Sequence, residues 1–159
     1  MAVRIQTEAF DAGHLLSDFS AGRTDAGAVV SFTGIARDAT GSATVTALEL
    51  EIYPGFTEPA IEALETEARR RFGVRDLLIV HRHGPITPGE AIVFVAAAAE
   101  HRRATFEAAD FLMDRLKTEA PFWKKEFGSN GERWIEPRAS DLVDAGRWAP
   151  RLFAGGTSQ

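Results

Sequence analysis

The chain has no cysteine. Disulfides, thiolate metal sites and covalent sulfur chemistry on its own side chains are therefore excluded. No apolar run reaches the ~20 residues that a membrane helix needs. The opening stretch, MAVRIQTEAF, has no hydrophobic segment of the signal-peptide kind, so a cytoplasmic setting without membrane association is expected. Net positive charge is lacking as well. A formal charge of −5 and a pI near 5.4 argue against a general nucleic-acid binder, which must offset phosphates. Neither GxGxxG nor a P-loop lysine motif occurs, so no nucleotide cradle and no bound cofactor are indicated.

What is present suits one soluble domain. The 159 residues are enough for a single core, and 45% hydrophobic with 26% charged residues is an ordinary globular composition. Charge is unevenly spread. From His101 to Arg138 there are eight Lys or Arg against seven Asp or Glu, whereas the remainder has ten against sixteen. Basic groups are thus relatively enriched in the last third.

Pattern reading gives the order β-α-β-β-α-β-β-α-β-β-α, an α+β (mixed α/β) chain without repeats. Val3–Thr7 alternates as a short strand, and Asp11 is a candidate cap for a helix carrying Leu15, Leu16 and Phe19. Ala26–Arg37 is β-branched and reads as a strand. Asp38–Thr44 reads as a polar, mobile loop, and Val45–Tyr53 as a half-buried strand of period two. Thr57 is expected to cap a helix with Ala60, Ile61, Leu64 and Ala68 inside and Gly73 as its stop. Val74–Gly84 reads as a strand, Pro85–Glu90 as a turn, and the apolar Glu90–Ala99 as a central strand. A long helix, His101 to about Ala120, is expected to face Phe106, Ala109, Leu112, Met113 and Leu116 inward and to end at Pro121. Segments around Asn130-Gly131 read as a β-hairpin, and Ala139–Trp148 as one short helix. The domain is placed at residues 1–148, with 149–159 as a loose tail.

Chemistry concentrates around "KTEAPFWKKE", Lys117 to Glu126. Lys117 lies in the last turn of the long helix. Two readings stand: a favourable contact with the helix dipole, or contact with an anionic substrate or reacting carbonyl. Lys124 and Lys125 are adjacent on a strand and point to opposite faces. If Trp123 and Phe127 pack inward with Lys125 alongside, one lysine is partly sheltered, with a lowered pKa that suits proton transfer or nucleophilic attack; the alternative is an edge-strand lysine that blocks aggregation. His101 and Arg102 open the long helix, where backbone N–H groups favour anions; solvent-facing residues are the alternative. Arg37, after a buried-looking strand, is a further ligand candidate. His81, Arg82 and His83 lack a carboxylate partner in their strand, so no metal site is assigned. Asp110 and Asp114 read as a solvated face.

His101 and Lys117 are sixteen residues apart, about 24 Å along one helix axis. No small molecule spans that. If both ends serve one site, they come from different copies, and a homodimer with a composite pocket follows, with Arg138 as an added cation.

The segments VVSFTGIAR, LELEIYPGFTE, VHRHGPITPGEAIVFVAAAAEHR, FEAADFLMDRLKTEAPFWKKE and RWIEPR follow one another in this order. Together they resemble the catalytic, large subunit of molybdopterin synthase, from about Ala26 to Trp148. The resemblance implies an α/β hammerhead-type single domain with an added β-hairpin subdomain. It also implies a homodimer, a heterotetramer once each subunit binds a small ubiquitin-fold sulfur carrier. That carrier's Gly-Gly thiocarboxylate tail would enter the pocket and deliver two sulfurs to cyclic pyranopterin monophosphate. Carried over residue by residue, Lys117 stands near the carrier's terminal glycine and Lys124 near the pterin. Arg37, His101, Arg102 and Arg138 form the anion-binding set, the last three from the neighbouring subunit. Phe32 and Met113 match pocket-lining positions that core packing explains equally well. Gly155-Gly156 is followed by Thr157-Ser158-Gln159 and so is not a carrier tail.

Overall fold

The apolar run recognised in the sequence is the spine of the molecule. In the computed structural model, which describes residues 2–136 and 138–149, it forms β7 (Ala91–Ala99), buried from Val93 onward. Its neighbours are β5 (Asp76–Arg82) and β2 (Ala28–Ile35), both antiparallel to it, while β1 (Val3–Gln6) runs parallel to β5. The resulting four-stranded sheet has the order β1-β5-β7-β2.

Both faces of this sheet are covered, which is why β7 does not alternate apolar with polar. On one side Leu77, Ile79, Val93, Val95 and Ala97 meet α2 (Thr57–Phe72) and α3 (Arg102–Glu119) in the main core, around Ile61, Leu64, Phe111 and Leu112. On the other, Leu78, Val80, Phe94, Ala96 and Ala98 meet Phe19 of α1 (Ala12–Ser20). The alternation of small alanines lets the layers approach closely.

A second sheet carries the chemistry. Its order is β3-β4-β8-β9, from β3 (Ala39–Thr40), β4 (Ala43–Ile52), β8 (Phe122–Gly128) and β9 (Gly131–Ile135), with β6 (Gly84–Ile86) also paired to β4. Ala36, Val45, Leu48, Leu50 and Ile86 form its small core. The last helix, α4 (Ala139–Gly146), follows the β8–β9 hairpin. The two-sheet arrangement bears out the α+β reading.

Local signals were good guides to boundaries. The Asp11 carboxylate accepts the His14 N–H at 2.8 Å and caps α1. Gly73 ends α2 with φ 63°, a left-handed cap that favours glycine. Several expectations are corrected. Asp38–Thr44 is a tight hairpin, since Ala39–Thr40 pairs with Ala43–Thr44. Thr57 is the first helical residue of α2, and Phe56 holds the cap position. Phe106 is 53% exposed, and the inner stripe of α3 runs instead through Thr105, Ala108, Ala109, Phe111, Leu112, Met113 and Leu116. Asp110 and Asp114 are not simply solvated: both accept from Arg147, and Asp114 also accepts from the Trp148 indole at 2.7 Å. Trp148 packs edge-on to Phe72 and Phe111, so the chain stays docked to that point. The expected tail falls almost wholly outside the described residues, as does Gly155-Gly156.

The β4–β8 register is fixed by a close approach. A Cβ on Gly128 would lie 1.8 Å from the Thr44 carbonyl oxygen, beside the irregularity at Val45/Ala47. Gly128→Ala is therefore expected to force the strands apart, costing about 2 kcal/mol or more and lowering Tm by about 5 °C or more. A thermal melt unchanged from wild type would show that the hairpin yields without cost.

Candidate functional site

Lys117 and Lys124 hang on either side of one turn. Ala120, just before Pro121, is extended (φ −74°, ψ 123°), as the residue before a proline prefers, and α3 stops there. Phe122 N–H closes the turn on the Ala120 carbonyl at 2.9 Å, and β8 begins.

Two buried polar side chains from distant parts of the sequence hold this turn. The Thr57 hydroxyl, fully buried, donates to the Pro121 carbonyl at 2.7 Å and accepts from Tyr53 N–H at 2.9 Å. The His81 ring stacks on Phe122, with centroids 4.0 Å apart and planes 17° from parallel. Thr57→Val would leave the Tyr53 N–H and the Pro121 carbonyl unpaired, with an expected loss of about 1–3 kcal/mol by urea denaturation. An unchanged midpoint would show that the hydroxyl is dispensable.

β8 sorts its side chains by face. Phe122, Lys124 and Glu126 share one face; Trp123, Lys125 and Phe127 share the other. Lys124 is half-buried, with Nζ 3.9 Å from the Glu126 carboxylate. Burial lowers its pKa; Glu126 opposes this, and the charges of Lys117, Arg37 and Arg138 add to the lowering. One lysine is sheltered as expected, but it is Lys124 on the Phe122 face and not the face of Trp123 and Lys125. Lys125 has the opposite environment. It pairs with Glu132 at 2.8 Å and lies over the Trp134 and Phe127 rings, and its pKa is raised through the Glu132 contact. The edge-strand reading is corrected, because β8 lies between β4 and β9. Trp123 does not pack inward: it is 48% exposed and touches Tyr53 and Trp134.

The structure thus brings Lys117, Arg37 and Arg138 within electrostatic reach of Lys124 in a single chain. Arg138, expected from a neighbouring subunit, stands at the lysine end of its own chain, where it begins α4 and pairs with Asp141 at 3.3 Å. Burial pushes the Asp141 pKa up, but the Arg138 hydrogen bonds and the Lys117 charge bring it below the usual value. Met113 lies one helical turn before Lys117 and is buried. Phe32 shares the α3-facing side of β2 with Val30 and is partly exposed. His101 and Arg102 are not brought to this cluster. They are exposed at the far end of α3, where His101 sits 3.6 Å from Glu100.

Sequence reasoning missed Glu126, His81 and Thr57 as parts of the site. Glu126, 8% exposed, also accepts from the Thr40 hydroxyl at 3.0 Å and from Arg133 at 3.5 Å. Its position two residues after Lys124 on a strand was the available signal. No group of three or more potential metal ligands occurs among the described residues. A cavity of about 540 Å³ opens beside Arg37, lined by Ala36, Asp38, Gly41 and Gly89. A larger one, about 610 Å³, touches none of the candidate residues. Several of its charged groups are paired with one another: Asp76 pairs with both Arg23 and Arg69. The lysine cluster is the better site.

An α+β domain that gathers lysine and arginine around a half-buried ammonium, without cysteine, is built to handle an anionic substrate. The chain belongs to the MoaE protein family, whose model matches residues 5–119. It is 57% identical over 148 residues to a molybdopterin synthase catalytic subunit from Caulobacter vibrioides, covering 93% of this chain and 97% of that protein. The corresponding Escherichia coli subunit is 48% identical over 126 residues, covering 79% and 84%. Among solved structures, a molybdopterin biosynthesis MoaE protein from Burkholderia ambifaria superposes with TM-score 0.77 at 46% identity, covering 93% of this chain and 98% of that one. No helix among the described residues is long and apolar enough to cross a membrane.

Proposed function

We propose that this chain is the catalytic subunit of a molybdopterin synthase, a sulfurtransferase of molybdenum cofactor biosynthesis working in the cytoplasm. Its substrate is cyclic pyranopterin monophosphate, and its sulfur comes from the thiocarboxylated Gly-Gly terminus of a small ubiquitin-fold carrier. The names of its relatives support the activity. A Helicobacter pylori structure of the same fold (TM-score 0.72, 23% identity) is titled a complex of subunits 1 and 2 of molybdopterin-converting factor, which fits a two-protein machine.

The observation that carries the reading is the convergence of Lys117, Arg37 and Arg138 on half-buried Lys124. Phosphate and thiocarboxylate are both anions, and directed cations suit both. The carrier's thiocarboxylate sulfur attacks a pterin side-chain carbon and displaces its oxygen substituent, giving a thioester. Water then adds to the carrier's carbonyl, and C–S cleavage leaves the sulfur on the pterin and frees the carrier's carboxylate. Lys117 stabilises the negative charge that develops on the carbonyl oxygen and the carboxylate released. Lys124, with its lowered pKa, holds the pterin side and is placed to pass a proton. Arg37 and Arg138 bind the phosphate, with Phe32 and Met113 lining the pocket. The absence of cysteine fits, because the partner delivers the sulfur. His101 and Arg102 lie a helix length from Lys117, so they serve this chemistry only in a second copy's pocket. The working assembly is then a homodimer carrying two carriers.

Mixing the chain with thiocarboxylated carrier and the pterin precursor should yield a product that carries two sulfurs in place of oxygen substituents on mass analysis. No product under conditions where a relative makes it would sink the proposal. A mere docking scaffold predicts that Lys124→Ala leaves turnover untouched; here it should fall at least ~100-fold.

A further inference from the structure

We propose that His81 is a positioning residue for the two lysines, whose ring fixes the start of β8 by stacking on Phe122. Its contribution to turnover rests on the function proposed above; its effect on the lysines does not.

The geometry is specific. His81 follows Leu77 and Ile79 on the α3-facing side of β5, so it is the next residue in the row that supports the end of α3. Its Nδ1 lies 2.8 Å from the Arg82 carbonyl oxygen. A carbonyl only accepts, so Nδ1 carries the proton and the lone pair of the neutral ring is on Nε2. The ring lies flat on Phe122, which shares a face with Lys124 two residues on. A shift of Phe122 therefore displaces Lys124 and the turn that links it to Lys117. Thr57 pins the same turn through Pro121, leaving the stack to set the position of the strand.

Burial explains why the ring stays neutral. It pushes the pKa down to about 4; the hydrogen bond to the Arg82 carbonyl opposes this, and the neighbouring His83 and Lys117 add smaller downward pushes. The facing groups are Lys117 on α3, Phe122 on β8, and Arg82 and His83 on or beside its own strand. A neutral aromatic here supports Phe122 without adding another fixed cation that would repel Lys117.

The chain's only lysines are Lys117, Lys124 and Lys125, so three side-chain Cε–Hε signals report the site directly in NMR titrations of the whole protein. In His81→Ala, loss of the stack should let Lys124 meet more solvent and move its titration up toward the ordinary lysine range. Lys125, on the other face, should not move. Product formation should fall roughly tenfold through kcat with KM for the carrier unchanged, as expected when reacting groups are misplaced. His81→Phe, which keeps a flat ring, should restore both the Lys124 titration and kcat. If His81→Ala fails to fold, His81→Leu fills the space without a ring and carries the same test. An unmoved Lys124 titration in the folded ringless variant, or failure of phenylalanine to rescue, would overturn the inference. Absence of turnover in the wild-type chain would count against the proposed function alone, since the lysine titrations decide the role of His81.

Discussion

Lys117→Ala should lose product formation by roughly 100- to 1,000-fold while the protein stays folded, the range seen when one donor to a developing oxyanion is removed. The two halves of this expectation have separate causes. Lys117 is exposed at the last turn of α3, makes no ion pair among the described residues, and buries little. Its structural worth is the interaction of an ammonium with a helix C-terminus, about 0.3–1 kcal/mol. Its chemical worth comes from its charge, which acts on Lys124 and His81. Lys117→Arg keeps the charge but spreads it over a larger, planar fork, so it should preserve stability and restore activity only in part. Single-turnover assays by mass, alongside thermal melts, separate these effects. Wild-type turnover in the alanine variant would remove Lys117 from the mechanism.

Acid should destabilise the fold in two separate pH windows. His81 has a folded pKa of about 4 against an ordinary value of 6.5. Between those values the unfolded chain binds a proton that the folded chain refuses. Stability is therefore intact above about pH 6.5 and falls as pH drops toward 4, by on the order of 3 kcal/mol. Asp76, Asp141 and Glu90 behave differently. Their pKa values are below the ordinary 3.8 for aspartate and 4.5 for glutamate, so the stability they supply is lost only at lower pH still. Urea unfolding at pH 7, 6, 5 and 4.5 should show the first window in wild type and not in His81→Phe. Equal slopes in the two proteins would mean that His81 is accessible to protons in the folded state.

What was legible in the sequence was mostly local. The β7 run, the Asp11 cap, the Gly73 stop and the Pro121 break each act through a few neighbouring residues, and each is found where its chemistry places it. The Ala39–Thr40 strand was too short to leave a periodic trace. Phe106 falls in phase with the apolar stripe of α3 yet is half-exposed, because periodicity gives a direction and not the extent of the surface opposite. The lysines of the site could be read from their unusual company of aromatics and a proline. Their supports could not: Thr57 meets Pro121 from 64 residues away, and His81 meets Phe122 only because β5 ends under the start of β8. Arg138, assigned by analogy to a second copy's pocket, also acts on Lys124 of its own chain, a proximity that its position before α4 creates and that the sequence did not signal.

Every cation away from the Lys117–Lys125 segment, other than histidine and the amino terminus, is an arginine. Guanidinium groups stay protonated and do not acylate under mild conditions, whereas amines can lose a proton and acylate. An amine-selective acylating reagent that labels this protein has, besides its first residue, no destination except Lys117, Lys124 and the one lysine behind them. The chain's nucleophilic amines are thus confined to the segment that the proposed function assigns to the carrier's acyl end.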